Sequence, residues 1–299
     1  MLSRHEIPCG WQVVVVDLGT MPDNDSARAA GLAGPGRAWQ PRAMMDHWLV
    51  TPQYFEVAQP GLGAAAPEAA RINGPHDIAG RSAADMAQVH LPIADFVSEM
   101  LRDGGRPVSL AGDCCAAVPV LAGLQRAGID PWLVWVDAHG DFNTPETSPS
   151  QFLGGMPLAM AVGRGPQWMC KSLGLRPIAE DRVVLVDARD LDPLEAEALA
   201  ASGVRHVATI EGLGTLTLDG PVLAHVDLDV IDAAEAPSFN YPVPGGPGAA
   251  ATARALDAFA SGNEVIAVSF SGWDADNDTD GRTAAACQQV MAALTQIND

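Results

Sequence analysis

Two apolar runs in this chain end alike. Trp132-Leu133-Val134-Trp135-Val136 leads into Asp137-Ala138-His139-Gly140-Asp141, and Pro221-Val222-Leu223-Ala224 leads into His225-Val226-Asp227-Leu228-Asp229. Each reads as a buried strand that finishes in alternating metal-ligand residues. Side chains two apart on a strand share a face, so Asp137, His139 and Asp141 are expected to point one way, as are Asp227 and Asp229. Carboxylates crowded beside a core repel one another and lose hydration unless something positive sits between them. A divalent metal ion, or a pair of them, answers that need.

The rest of the chain supplies the setting. Ser82 to Arg102 carries Met86, Val89, Ile93, Phe96, Val97, Met100 and Leu101 at helical spacing and stops at Gly104-Gly105. Trp11 to Leu18, Pro107 to Leu110, Arg182 to Val186, Leu223 to Val226 and Glu264 to Phe270 read as strands, with a shorter one over Arg205 to Ile210. Helices are expected over Ala116 to Ala127, Pro193 to Ser202, Ala249 to Ser261 and Thr283 to Ile297, and one begins at Met156. Residues 20–80, rich in Gly, Ala and Pro, give no clear assignment. Strands alternating with helices predict an α/β fold with a mostly parallel sheet covered on both faces. Sites in such sheets form at the carboxyl ends of strands, where both acidic clusters fall.

The length, 299 residues, suits a single domain over 1–299. The formal net charge of −20 makes nucleic acid and anionic membrane poor partners, and suits a small neutral or cationic substrate. Cys9, Cys114, Cys115, Cys170 and Cys287 are odd in number and form no disulfide framework, so a reduced, cytoplasmic setting is expected. The first apolar run, Val13 to Val16, is too short for a signal peptide, and no run reaches the length of a membrane span.

The motifs together resemble the arginase/agmatinase/formiminoglutamase (ureohydrolase) family, with this chain a divergent member. The resemblance runs from about Ser109 to the C-terminus. Asp137 to Asp141 matches the family's D-A-H-x-D, and Gly155-Met156-Pro157 its G-M-P. Arg189-Asp190-Leu191-Asp192-Pro193 is similar to R-D-x-D-P. His225 to Asp232 resembles S-x-D-x-D-x-x-D, and Gly245-Gly246 and Asp278 to Ala284 follow in order. The resemblance implies a three-layer αβα arginase-like fold, a two-manganese site and a trimer or hexamer. It implies that Asp137 and Asp227 bridge two ions, that His139 and Asp229 complete one shell, and that Asp141 serves the other ion. A metal-bound hydroxide would attack a trigonal carbon bonded to nitrogen in a guanidino-, amidino- or formimino-type substrate, with Asp141 a partner for its proton. Asn143, Ser150 and Asp192 fall where arginases contact the amino-acid end of the substrate.

Three departures qualify that picture. The family's G-G-D-H is Ala111-Gly112-Asp113-Cys114 here. Cys114 is either a ligand, which would favour zinc or iron over manganese, or a small buried filler that leaves one ion alone in the site. The histidine proposed to shuttle protons in H-G-M-P is Gly154, which has no group to exchange a proton. The glutamate that clamps the guanidinium is Gly272, with Trp273 beside it as an aromatic surface for a cation or planar group. Tyr241 replaces the threonine before the family's proline. These losses set a second expectation beside the enzyme: a non-catalytic relative that binds metal or ligand in a regulatory or structural role. His225, in a position usually Ser, is expected on the face opposite the ligand pair, packing or supporting it. Asp274, Asp276, Asp278 and Asp280 read as a solvated loop entering a helix, because the twelfth position from Asp276 is Cys287 and not the glutamate of a calcium loop.

Overall fold

The computed structural model describes residues 44–295; the strand expected over Trp11 to Leu18 lies outside them. Eight strands form one sheet: β1 (Asp46–Thr51), β2 (Arg71–Ile72), β3 (Arg106–Ala111), β4 (Trp132–His139), β5 (Val183–Asp190), β6 (Arg205–Val207), β7 (Pro221–Asp227) and β8 (Glu264–Ser271). Their spatial order is β2-β1-β3-β8-β7-β4-β5-β6, and every pairing is parallel. The central strands are Val/Leu-rich because helices cover both their faces.

The pleat sorts each strand between two cores. On one face Leu133, Trp135, Leu185, Leu223 and Ala267 pack with the helices α1 (Ala83–Arg102) and α2 (Ala117–Arg126). On the other, Val134, Val136, Val184, Ala224, Val226 and Phe270 pack with residues of α4 (Ala249–Gly262) and α5 (Arg282–Ala292). This is the three-layer arrangement expected from the sequence. Burial of each large apolar side chain contributes roughly 1.5–3 kcal/mol, so the two cores together hold the central strands in place.

Local signals explain most boundaries. Ser82 and Asp85 form a capping box at the start of α1, and Gly104 follows its end with φ 81°. A second box, Asp192 with Glu195, opens α3 (Pro193–Ala200). The strand expected over Arg205 to Ile210 stops at Val207, and a short helix starts at Ile210. The acidic loop behaves as expected: Asp278 Oδ2 accepts from Ala284 N in the first turn of α5 at 2.6 Å. Among the described residues no helix is long and apolar enough to cross a membrane.

What places the site is the direction of the chain after β4 and β7. These strands are neighbours, yet β4 leads on to β5 on one side and β7 to β8 on the other. Connections that diverge from adjacent strands leave a crevice above their carboxyl ends.

Candidate metal centre

The acidic residues reach that crevice by three local devices, not by pleat alternation alone. Asp137 and Asp227 stand on the α1/α2 face of β4 and β7, as alternation requires. Beyond Asp137 the register slips: Asp137 faces Asp187, but His139 faces Asp190, with Asp187 and Ala188 at φ 71° and 50°. This bulge re-aims His139. Asp229 lies off the strand, in a 3₁₀ turn over Leu228–Val230, where its N–H donates to Asp227 Oδ1 at 3.1 Å. Asp141 has φ 48°, so its side chain is set by a left-handed turn and not by strand geometry. Arg189, two residues after Asp187, donates to the Val230 and Val243 carbonyls at 3.1 and 2.9 Å and so fixes the turn that carries Asp229.

At the centre, His139 Nδ1 is 3.4 Å from Asp137 Oδ1 and 3.2 Å from Asp229 Oδ2. Trp135 Nε1 donates to Asp137 Oδ2 at 2.9 Å, and Ser271 Oγ to Asp227 Oδ2 at 2.8 Å. One donor atom each from Asp137, His139 and Asp229 fall within 4.8 Å of one another. Burial, reinforced by neighbouring carboxylates, raises Asp141 and Asp227 well above the usual carboxylate range and raises Asp229 too. Only Asp137 is lowered: burial opposes its charge, but hydrogen bonds and charge from His139 outweigh it. Among the described residues no Arg or Lys side chain pairs with any of the four acids. Among the described residues the site is short of positive charge, Asp141 Oδ2 is buried without a partner, and the donors are carboxylate and imidazole. That set fits a divalent ion.

Cys114 lines the same cavity beside Asp141 but falls in neither group of three donors that lie within 4.8 Å of one another. Its Sγ is 3.1 Å from the Gly154 carbonyl as a donor, and burial followed by repulsion from Asp141 raises its pKa well above the thiol's usual value. Gly154 is packed for glycine: a Cβ there would overlap the Phe152 ring. Gly272 is more constrained still. Its φ is 86°, and a Cβ would overlap Asp227 Oδ1.

Two expectations need correction. Trp273 is 2 % exposed, packs in the α4/α5 core and does not line the cavity, because the left-handed turn at Gly272 carries it away. His225 is not on the opposite face: residues 225 and 227 are two apart and share one. Its ring is fully buried against Trp135, with Nδ1 3.2 Å from Ser269 Oγ.

Above the acids opens a cavity of about 250 Å³. Asn143, Ser150 and Asp192 line it, with Asn143 Nδ2 donating to Asp192 Oδ2 at 3.0 Å. Its other wall is aromatic: Tyr54, Phe55, Phe152 and Tyr241, with Phe152 5.4 Å from Tyr241 and 5.5 Å from Phe55 between ring centroids. Sequence reasoning named only Tyr241 among these. A usable signal existed, since the chain has only two tyrosines and both are here. Glu195 was also missed, although Asp192-x-x-Glu195 is a capping-box pattern. Its Oε1 accepts from Phe142 N at 2.8 Å, holding the loop beyond Asp141.

The model of the Arginase family matches residues 27–296. Arginase of Bacillus caldovelox is 28% identical over 241 residues, 76% of this chain and 81% of that one. The N(omega)-hydroxy-L-arginine amidinohydrolase of Streptomyces lavendulae is 33% identical over 158 residues, covering 52% of this chain and 56% of its own. Among solved structures, arginase from Bacillus cereus superposes with a TM-score of 0.74 over 84% of this chain and 98% of that chain, at 24% identity. By its sequence and its fold, this chain belongs to the arginase family.

Proposed function

We propose that the chain is a metal-dependent hydrolase of a non-peptide C–N bond in a small amidino-, guanidino- or formimino-type molecule. The observation that carries the reading is the group of Asp137, His139, Asp227 and Asp229, the acids buried and unpaired with Arg or Lys among the described residues, at the floor of a cavity. These residues would hold a divalent ion, manganese by analogy with the family. A bound ion supplies Lewis-acid activation of water and of the trigonal carbon.

The chain's own groups do the rest. Trp135 and Ser271 each hold one oxygen of Asp137 and of Asp227, which fixes the direction of the remaining lone pairs. Asp141 lines the cavity with a partnerless Oδ2 and is placed to take a proton from water and return it to the departing amine. Asn143, Ser150 and Asp192 bind the substrate's polar end. Among the described residues no Lys or Arg lines the cavity, so a substrate with an anionic reacting end is disfavoured. The absence of an acid at Gly272 points away from a clamped guanidinium like that of arginine.

Metal analysis of protein purified without chelator, with urea, ammonia and formamide release from a panel of such compounds, tests the reading. One or two ions per chain and turnover of a panel member support it. A chain that takes up neither manganese, zinc nor iron overturns it. Metal uptake with no turnover favours the second reading, a non-catalytic relative, which Gly154 and Gly272 support.

A further inference from the structure

The row of side chains one layer below the acids is polar where a core should be apolar. Across the sheet, Ser109 on β3 pairs in register with Ser269 on β8, Ser269 with His225 on β7, and His225 with Trp135 on β4. Ser109, Ser269 and His225 are fully buried. Trp135 directs its N–H upward to Asp137, and Ser269 Oγ engages His225 Nδ1. His225 Nε2 is left buried with no partner among the described residues. An unsatisfied buried nitrogen costs roughly 1–3 kcal/mol, so its retention calls for something that uses it.

A use lies within reach. One donor atom each from His225, Asp137 and Asp227 fall within 4.8 Å of one another, as do those of Asp137, His139 and Asp229. The two triplets share Asp137. We infer that His225 is a metal ligand, and that with Asp137 and Asp227 it forms a second ion position beside the one held by Asp137, His139 and Asp229. Resting on the reading of the site as a divalent-ion centre, this assigns a nitrogen donor to each position from a different strand. Cys114 supplies neither. Carboxylate, carboxylate and imidazole form a donor set suited to manganese, iron or zinc. Ser269, at Nδ1, fixes the ring's orientation, as partners of ligating histidines commonly do.

Equilibrium dialysis of metal-free protein against manganese tests this. Wild type and C114A are expected to take up two ions per chain, and H225S one. Loss of the second ion's affinity by more than about 100-fold marks a ligand, since removing a residue that only orients one costs roughly 10–100-fold. The manganese spin-resonance spectrum should change from a coupled pair to an isolated ion. In case H225S misfolds, X-ray absorption of wild type loaded with two zinc ions gives the same answer. It should show about one imidazole nitrogen per ion, against about half if His139 alone coordinates. Two ions retained by H225S with unchanged affinity, or the lower imidazole count in wild type, overturns the inference and leaves the metal reading standing. Wild type that takes up no ion fails that underlying reading as well.

Discussion

The strand-end half of the site and its loop wall have been treated differently. At the strand ends three of the four acids are held by neighbours: Asp137 by Trp135 and His139, Asp227 by Ser271 and the Asp229 amide, Asp229 by His139. On the wall, the positions 114, 154 and 272 are small, and what surrounds them has closed in. Phe152 occupies the space next to Gly154, and Asp227 the space over Gly272. The sheet therefore presents the candidate ion ligands, while the loops above them present small residues against which their neighbours pack. Loops on a rigid scaffold are where sequence varies most freely.

The largest effect should come from the residue common to both triplets. Asp137→Asn keeps the shape but gives up a charge, and it should abolish metal uptake and with it any turnover. The loss should exceed the roughly 100-fold expected of a merely supporting residue. Dialysis and circular dichroism together check it. A folded D137N protein that still holds metal would break the claim that the strand-end half is the ion site.

Gly272→Ala sharpens the contrast from the wall side. A left-handed alanine costs about 1–3 kcal/mol, and its Cβ must also displace Asp227. Urea unfolding should show the loss, and metal affinity should fall in parallel. By the same reasoning Gly272→Glu should not recover arginine hydrolysis, because the carboxyl cannot be added without moving a ligand. Stability equal to wild type in G272A would mean that the turn relaxes and the wall is less fixed than it looks.

How far the sequence carried follows the same division. Asp137 and Asp227 were legible because a strand has a strict period of two, and that period also placed His225 once counted correctly. Asp141 and Asp229 were expected in the right place for an incomplete reason: a left-handed turn and a 3₁₀ turn deliver them. β1 went unassigned because it opens with Asp46-His47 and sits in a Gly/Ala/Pro-rich stretch. Tyr54, Phe152 and Tyr241 are far apart in the chain, and only the fold brings their rings together. Trp273 was expected at the cavity because it stands beside Gly272 in the chain, and the positive φ at Gly272, invisible in the sequence, turns it into the core.

Glu195 joins the two halves, and its titration tests how. Burial raises its pKa from 4.5 to about 7, against two backbone N–H donors that lower it. A raised acid means the folded chain binds more protons than the unfolded one between those values. Its contribution therefore falls as pH rises from about 4.5 to about 7, by at most about 1.4 kcal/mol per pH unit. In metal-free protein, the stability of wild type minus that of E195Q should decline across this window. A difference that stays constant would show that Glu195 is more hydrated than its burial implies.

The smallest effect is expected at Cys114, and its smallness is the point. If the wall no longer takes part in ion binding, Cys114→Ala loses one weak S–H to carbonyl hydrogen bond and a little packing, about 1 kcal/mol. Metal content and identity should not change, because the thiol donates to the Gly154 carbonyl and falls in neither group of three clustered donors. Cobalt(II) substitution gives the sharpest reading. A thiolate ligand produces an intense near-ultraviolet charge-transfer band, absent from an all-carboxylate and imidazole site. Wild type and C114A should give the same spectrum without that band. If the band is present in wild type and lost in C114A, the two halves are not separate, and the soft ligand at 114 would draw the site toward zinc or iron.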